Sequence, residues 1–439
     1  MEDLEINTIL NRTEQAEQVR SILRNFEANR NDVLLKRGIY VFGDPGTGKT
    51  TFVTKILNEM NYDVIKYDAG SWHHNPSNDI SSEKVDLILV YADRLLLDKQ
   101  DILHSLQEDY SKAKVVVCST AGEIYQRTVI ENAATAMIIS FDKTEVCVET
   151  GEISKYEDSN ELGKAIAQKF KPEGLKYLMV ISDGGEINGD DLILGIKSVM
   201  GKDVCISGGM AGDGPRFQKT LVGCYPDVKE GNLVLIGFYG DKLKVATGVK
   251  GGWDEFGPQR TVTKSTSNVL YEIDGINALE LYKKYLGTYK DELPGSALLF
   301  PISIKTADTD FYLVRTILSI DEEKQCMVFA GNIPEGSAVR FMKSNPDRLV
   351  FAAADAGGQI VQNMHDVPVE MALIVSCVGR KIVLSERIEE EIEAVAEMLP
   401  ASANIAGFFS YGEIAPYRKE KQTSLHNQTI TITAFAEIS

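Results

Sequence analysis

The sequence contains few of the residues that usually carry catalysis or bind metal ions. It has five histidines, two tryptophans and six cysteines in 439 residues, and no two cysteines form a CxxC pair. Cys118, Cys205 and Cys377 each lie in an apolar, strand-like run. This usage predicts reduced, buried thiols rather than a zinc site or a disulfide framework. The G-x-S-x-G and H-E-x-x-H motifs of hydrolases and metalloproteases are also absent.

Long apolar runs and excess positive charge are missing as well. No apolar run approaches the roughly 18–20 residues of a membrane-spanning helix, and the acidic start, Met1-Glu2-Asp3-Leu4-Glu5, is unlike a secretory signal. The formal net charge of −18 repels phosphate backbones and anionic lipid surfaces. We therefore expect a cytoplasmic protein that binds neither nucleic acid nor membranes.

A Gly-rich motif near the N-terminus has the spacing of a phosphate-binding P-loop. Between a predicted strand and a predicted helix, the pattern G-x-x-x-x-G-K-[ST] is fitted by Gly43-Asp44-Pro45-Gly46-Thr47-Gly48-Lys49-Thr50, with Thr51 next to it. Its backbone N–H groups and the helix N-terminus favour an anion. Lys49 would reach the β- and γ-phosphates, and the Thr50 hydroxyl would bind Mg²⁺. We predict that this segment binds ATP or ADP with Mg²⁺.

This form of the motif resembles the P-loop of AAA+ ATPases, over residues 11–68. Hydrolysis also requires an acid that holds Mg²⁺, a residue that positions water and usually an arginine finger. Asp93 is the best candidate for the acid, but Arg94 follows it where the AAA+ pattern has a second acid. Ser119 or Thr120 would take a sensor position. The pattern predicts nucleotide binding with slow or absent hydrolysis.

Strand and helix patterns alternate through the rest of the chain. Predicted strands at Leu87–Tyr91 and Val115–Cys118 flank a predicted helix at Lys99–Tyr110, which indicates a parallel sheet with crossover helices. Closely spaced strands over 232–318 indicate a more antiparallel, mixed sheet. The predicted fold class is α/β, with a P-loop βαβ segment followed by a two-part module of mixed sheets. The predicted boundaries are 1–70 for the P-loop segment, 71–84 for a linker, and 85–230 and 231–439 for the two parts of the module.

Several predicted strands end in a similar Gly- and acid-containing turn. Gly-Glu-Ile occurs at residues 122–124, 185–187 and 412–414, each time after a hydrophobic strand, and a fourth strand runs into Gly208-Gly209-Met210-Ala211-Gly212-Asp213. Ligands of parallel α/β sheets bind beyond the carboxyl ends of the strands. We predict that Gly122, Gly209, Gly212 and Gly412 form a backbone cradle for a carboxylate, with Glu123, Asp213 or Glu413 taking an ammonium group. The plainer interpretation is a set of ordinary turns with solvated acids.

From about Asp86 to Ser439 the chain resembles the FIST sensory module, in both its N-terminal and C-terminal parts. The resemblance rests on the order of several segments, which are Val117-Cys118-Ser119-Thr120-Ala121-Gly122-Glu123-Ile124, Ser207-Gly208-Gly209-Met210-Ala211-Gly212-Asp213, Val262-Thr263-Lys264-Ser265, Asn268-Val269-Leu270-Tyr271-Glu272-Ile273-Asp274-Gly275, Ser376-Cys377-Val378-Gly379-Arg380, Gly407-Phe408-Phe409-Ser410-Tyr411-Gly412-Glu413-Ile414-Ala415-Pro416 and Leu425-His426-Asn427-Gln428-Thr429. The resemblance implies an intracellular input domain of signal transduction that binds a small ligand such as an amino acid. It implies no catalytic residue, no cofactor for the module, and an output carried by a separate signalling protein.

Further side chains are candidates for the ligand site. Thr120, Gly208 and Tyr411 accompany the strand-end turns, Trp253 lies among glycines, and Arg380 has the chemistry to bind a carboxylate. His426 is a candidate as well, although a structural histidine is the commoner outcome. Three functions stay open: a ligand-binding sensor with a nucleotide-binding appendage, a working P-loop ATPase with a regulatory C-terminal part, and an interaction scaffold without a ligand.

Overall fold

The computed structural model describes residues 72, 82–98, 101–201, 204–293, 295–305, 312–417 and 422–438. Internal contacts divide the chain into two units, Met1–His73 and His74–Ser439, and the architecture given below is that of the second unit. The P-loop at 43–51 and the strands and helices predicted on either side of it lie outside the described residues. No helix in the described ranges is long and apolar enough to cross a membrane.

Strands dominate the described chain, and the runs of valine, isoleucine and leucine that predicted them are buried. Strand β1, for example, is Leu-Ile-Leu-Val-Tyr-Ala with every residue buried, as is typical of strands covered on both faces. The strands are β1 (Leu87–Ala92), β2 (Lys114–Ser119), β3 (Glu123–Tyr125), β4 (Thr128–Ile130), β5 (Ala134–Ile139), β6 (Glu145–Glu152), β7 (Leu175–Ser182), β8 (Cys205–Met210), β9 (Val222–Cys224), β10 (Asp227–Lys229), β11 (Asn232–Tyr239), β12 (Leu243–Lys250), β13 (Asp254–Thr266), β14 (Val269–Ile273), β15 (Ile276–Asn277), β16 (Ile302–Lys305), β17 (Leu313–Arg315), β18 (Ile317–Asp321), β19 (Cys326–Phe329), β20 (Ala338–Lys343), β21 (Met371–Cys377), β22 (Asn404–Ser410), β23 (Gly412–Tyr417), β24 (Gln422–His426) and β25 (Ile430–Glu437).

Most of the longer helices begin at side-chain caps that the sequence supplies. Asp158, Asn188, Asn277 and Asn345 each accept a hydrogen bond from a backbone N–H of the first turn, which satisfies a donor that has no partner within the helix. The helices are α1 (Arg94–Leu97), α2 (Asp101–Asp109), α3 (Ser159–Ala167), α4 (Gly189–Val199), α5 (Ala278–Leu286), α6 (Pro346–Met364), α7 (Val378–Leu384) and α8 (Ile388–Met398).

One strand–helix–strand unit occurs three times. Strands β1 and β2 pair in parallel across α2, β7 and β8 across α4, and β21 and β22 across α7 and α8. Each unit then receives an antiparallel third strand beside its first strand, namely β5, β11 and β25. The expectation of parallel pairs with crossover helices is confirmed, and the structure adds that the unit is repeated.

The three units are joined because each one gives a hairpin to another. The β3–β4 hairpin of the first unit pairs with β22 of the third, β9–β10 of the second with β2 of the first, and β23–β24 of the third with β8 of the second. The resulting sheet orders are β10-β9-β2-β1-β5, β24-β23-β8-β7-β11-β6 and β12-β25-β21-β22-β3-β4. The exchange has the connectivity of a pseudo-threefold ring.

The inner faces of the three sheets share one core. Tyr91 of the first sheet stacks on Phe408 of the third, and Tyr177 of the second packs against Phe435 of the third. Helices cover two outer faces: α3 and α4 pack on the sheet of β7, and α6 and α8 on the sheet of β21. The region between β12 and α6, with strands β13–β20 and helix α5, has a hydrophobic core of its own. The fold is mixed α/β, as predicted.

Candidate functional site

The carboxyl ends of β2, β8 and β22 meet in a ring of three backbone hydrogen bonds. Ala121 N donates to Phe409 O over 2.8 Å, Gly212 N to Ser119 O over 2.9 Å, and Tyr411 N to Met210 O over 3.2 Å. We call residues 119–123, 210–214 and 409–413 the strand-end ring. It brings together most of the predicted site residues, namely Thr120, Gly122, Glu123, Asp213, Tyr411, Gly412 and Glu413.

The glycines of the strand-end ring, and Gly209 just before it, are in close contact with protein atoms. A Cβ on Gly122 would lie 2.5 Å from Lys381 Nζ, one on Gly212 would lie 2.8 Å from Ala121 N, and one on Gly209 would lie 2.6 Å from a Val375 methyl carbon. The N–H groups of Gly122 and Gly212 already donate, to Thr120 Oγ1 and Ser119 O. In this structure these glycines therefore serve close packing, and the predicted carboxylate cradle is not open.

Glu123 and Glu413 occupy equivalent buried positions beside a hydroxyl group. Thr120 Oγ1 donates to Glu123 Oε1 over 2.5 Å, and Ser410 Oγ donates to Glu413 Oε1 over 2.6 Å. The second unit has Val222 at this point of the sheet and uses Asp183 instead, which accepts from Thr220 Oγ1 over 2.5 Å. The Gly-Glu-Ile copy at 185–187 follows the first strand of its unit, and Glu186 is exposed.

The two glutamates differ in how fully they are hydrogen-bonded. Glu413 Oε2 accepts from both the backbone N and the Oγ1 of Thr429, at 3.1 and 2.9 Å. Glu123 Oε2 is buried and accepts no hydrogen bond of normal geometry among the described residues, although the backbone N–H of Ala133 lies close enough to the carboxyl group to act against the rise in its pKa. Burial raises the pKa of each carboxyl group to about 8. Both are therefore largely protonated at neutral pH, and Glu123 retains an unused oxygen.

Asp213 belongs to an ionic cluster on the same side of the sheets. Arg94 Nε lies 2.9 Å and Arg216 Nε 2.7 Å from Asp213 Oδ1, and Arg216 also pairs with Asp93 at 2.8 Å. Burial acts to raise the pKa of Asp213, but the hydrogen bonds from Arg216 and Arg94 outweigh it and the pKa is lowered. Asp93, the predicted Mg²⁺-binding acid, caps α1 by accepting from Leu95 N.

Lys381 on α7 completes the charged surroundings of Glu123. Its Nζ donates to Ala121 O over 2.6 Å, pairs with Glu131 at 2.5 Å and lies 5.3 Å from the centre of the Phe409 ring. Nothing in the sequence pattern singles out Lys381. Ala121, which accepts its hydrogen bond, is 260 positions away, and Phe409 lies on strand β22. Arg216 and Phe217 were also missed, because Asp93 and Tyr411, which they contact, lie more than one hundred positions away; the Phe217 ring stacks on Tyr411 at 4.7 Å.

Three of the predicted residues have structural roles away from the Glu123 carboxyl group. Arg380, predicted as a partner for a ligand carboxylate, lies inside α7 and is fully buried in an ion pair with Glu391. It is therefore inaccessible to a ligand carboxylate in this structure. His426 is buried against Ala415 O, and burial lowers the pKa of its imidazole to about 4. Trp253 Nε1 donates to Gln428 O.

The residue that precedes Trp253 in the sequence lines an open groove. Gly252, the residue before it, lines a groove of about 510 Å³ together with Lys250, Arg348, Phe351, Ala352 and Asp355. Phe351 is 71% exposed there. None of the strand-end ring residues lines this groove.

Comparison with protein-family models assigns the described unit. The FIST N domain matches residues 86–276 and the FIST C domain matches residues 278–416. These matches cover most of the chain, and the protein belongs to the FIST family. The ATPase family associated with various cellular activities matches residues 39–125, so that its match extends over β1 and β2.

Individual relatives differ in how much of the chain they match. An uncharacterised protein of Methanocaldococcus jannaschii is 23% identical over 75% of this chain and 70% of its own length. The replication factor C large subunits of Picrophilus torridus and Nanoarchaeum equitans are 39% and 35% identical over 54 and 60 residues. These matches span only 13% and 14% of the two subunits.

Among solved structures, a cyanuric acid hydrolase from A. caulinodans matches 82% of this chain and 92% of its own, at 8% identity and a TM-score of 0.33. A similarity of this size carries no argument about fold or function.

Proposed function

We propose that the protein is a sensory protein that binds a small zwitterionic ligand, of the amino-acid class, beside the strand-end ring. Membership of a family of signal-transduction domains supports a sensory role. The observation that carries the site is Glu123, a buried carboxyl group with one oxygen unused by the described residues, which borders on Lys381. Proteins rarely leave such an atom without a partner.

Charges of both signs stand near this carboxyl group. Lys381 offers a cationic partner for a ligand carboxylate, and Glu123 and Glu131 offer acceptors for an ammonium group. A zwitterion that leaves water needs both kinds of partner. Glu413 is the weaker candidate of the predicted pair, because internal donors occupy both of its oxygens.

The ligand is sought by thermal-shift screening of the full chain against amino acids, and its affinity is then measured by titration calorimetry. We expect Glu123→Gln to weaken binding about 30-fold or more, since an ammonium group deprived of its anionic partner costs roughly 2–5 kcal/mol. Glu413→Gln is the matched control, with the same raised pKa and a similar hydroxyl partner. Equal affinity of the wild type and the Glu123 variant would place the ligand elsewhere.

The pH dependence of the affinity gives a second test of the same site. The bound ammonium favours the ionised form of Glu123, so that binding releases a proton at pH values below about 8. The wild-type affinity should rise between pH 6 and 8, and that of Glu123→Gln should stay flat.

We propose further that the N-terminal segment binds ATP or ADP with Mg²⁺ through Lys49 and Thr50. The match to the AAA family supports this assignment, and Lys49→Ala should abolish binding of a fluorescent ATP analogue. Lys55→Ala, which changes a lysine just beyond the motif, serves as the control. If both variants bind nucleotide like the wild type, the motif is not a nucleotide site.

A working ATPase with a regulatory C-terminal part is the second candidate, because the AAA match reaches residue 125. Against it, Asp93 is committed to capping α1 and to Arg216. We expect phosphate release far below the ~1–100 s⁻¹ typical of kinases. Turnover in that range would favour the second candidate.

A further inference from the structure

The ammonium group of Lys381 has three kinds of partner that suit a primary ammonium ion. A carbonyl oxygen, that of Ala121, lies 2.6 Å from Nζ, and a Glu131 carboxylate oxygen lies 2.5 Å from it. The ring of Phe409 adds an aromatic face at 5.3 Å. Two oxygen acceptors and an aromatic face are the partners that an R–NH₃⁺ group can use, because it offers three donors and a compact charge.

The backbone leaves room for this ammonium group. Gly122 has φ +130°, a conformation that other residues rarely adopt, and a Cβ there would lie 2.5 Å from Lys381 Nζ. A residue with a side chain would therefore push the ammonium group out of its place. The side chain of Glu131 is 59% exposed, so the surroundings of the ammonium open to solvent on that side.

The helix that carries Lys381 is also held by its neighbour Arg380. The neighbouring Arg380 is fully buried, pairs with Glu391 and donates to Leu349 O at 3.0 Å and to Gly251 O. These contacts anchor α7 from within. The Lys381 side chain is 17% exposed and reaches the strand-end ring at the far end of a flexible stem.

We propose that Ala121 O, Glu131 and Phe409 form a binding subsite for a primary amine and that Lys381 occupies it as a tethered competitor. The subsite places the ligand amine where the Lys381 ammonium now acts on the Glu123 carboxyl group, so the proposal rests on the proposed function. A ligand amine takes the place of Nζ, and the displaced ammonium group becomes a partner for a carboxylate of the same ligand. A tethered group competes at an effective concentration of the order of millimolar, so simple amines do not displace it from the wild type.

The test is thermal unfolding of the full chain with Lys381→Ala in the presence of n-butylammonium chloride. We expect a rise in Tm of about 2 °C or more at saturating amine in the variant, and none in the wild type or with the same concentration of sodium chloride. Lys197→Ala is the matched control, since the Lys197 ammonium also donates to a carbonyl oxygen, that of Thr423 at 3.2 Å, with no carboxylate paired to it among the described residues. Adding Glu131→Gln to Lys381→Ala should remove most of the effect.

If Lys381→Ala gains no stability from butylammonium, or gains no more than Lys197→Ala, the Lys381 side chain has only a structural role and the proposal is wrong. Should that variant fail to fold, Lys381→Ser is tested with butylammonium in the same way, and a Lys381→Ser protein that gains no stability overturns the proposal. If neither variant folds, Lys381 has a structural role and the proposal is wrong.

These outcomes are separable from those of the proposed function, because butylammonium has no carboxylate. If butylammonium stabilises Lys381→Ala but no amino acid binds the wild type, the subsite proposal stands and the sensor proposal is wrong. An amino-acid ligand whose affinity depends on Glu123, without amine rescue, would keep the sensor and place the ligand amine away from Glu131.

Discussion

Glu413 shows what burial does to a single carboxyl group. Its two oxygens accept three hydrogen bonds from Ser410 and Thr429, yet burial still raises its pKa to about 8. The loss of hydration thus outweighs the hydrogen bonds that favour the charged form. The folded protein keeps this group protonated where the unfolded chain would release the proton.

This raised pKa has a consequence for stability. The folded-state pKa of about 8 lies above the usual value of 4.5, so the stabilising contribution is fully present below pH 4.5 and is lost as pH rises to about 8. Each unit of difference corresponds to at most about 1.4 kcal/mol. Glu413→Gln mimics the protonated form, and its Tm should fall less than that of the wild type between pH 5 and 8. Parallel curves for the two proteins would contradict the raised pKa. Glu161→Gln, on an exposed helix position, controls for the loss of one charge.

At the scale of elements, parallel pairing of β7 and β8 depends on the absence of a side chain. Gly208 lies opposite Val180 with φ +150°, and a Cβ there would lie 1.9 Å from Val180 O. Such a clash is with backbone and cannot be relieved by turning a side chain. The strand-end glycines of this module thus allow its strands to approach one another closely.

We expect Gly208→Ala to lower the Tm strongly or to prevent folding, because both the φ angle and the contact with Val180 O oppose a methyl group. Gly201→Ala is the matched control, since nothing lies within 4 Å of a Cβ at that position. The measurement is thermal unfolding followed by circular dichroism. A Gly208 variant as stable as the control would show that β7 and β8 can separate without loss of the fold.

The elements were largely predictable and their partners were not. The strands near Leu87–Tyr91 and Val115–Cys118 and the final strand follow from apolar runs, and β1, β2 and β25 lie there. The exchange of hairpins cannot be predicted from local sequence, because the paired strands β3 and β22 are separated by most of the module's sequence. The acids at strand ends were predicted from local pattern, whereas the unused oxygen of Glu123 and the approach of Lys381 arise only from long-range packing.

At the scale of the whole molecule, the two family regions share sheets. Strand β3, in the region matched by FIST N, pairs with β22, in the region matched by FIST C. Likewise β8, in the FIST N region, pairs with β23, in the FIST C region. The central core also draws side chains from both regions. The module from residue 82 onward is therefore expected to behave as one cooperative unit.

A chain that starts at residue 82 should unfold in a single cooperative transition, because every paired edge described above lies within it. A fragment of residues 82–230 should not fold, since β8 would lack β23 and β7 would lack β11. Calorimetry of both fragments decides the matter. Cooperative unfolding of the short fragment would mean that the first two units are stable without their exchanged partners.

The exchange of hairpins also limits when the sheets can form during synthesis on the ribosome. The β3–β4 hairpin emerges early, but the strand it must join, β22, is translated only near the end of the module. Meanwhile the growing chain carries unpaired strand edges, which are the surfaces most prone to wrong association. The three sheets can therefore be completed only after β22 and the strands that follow it have been synthesised.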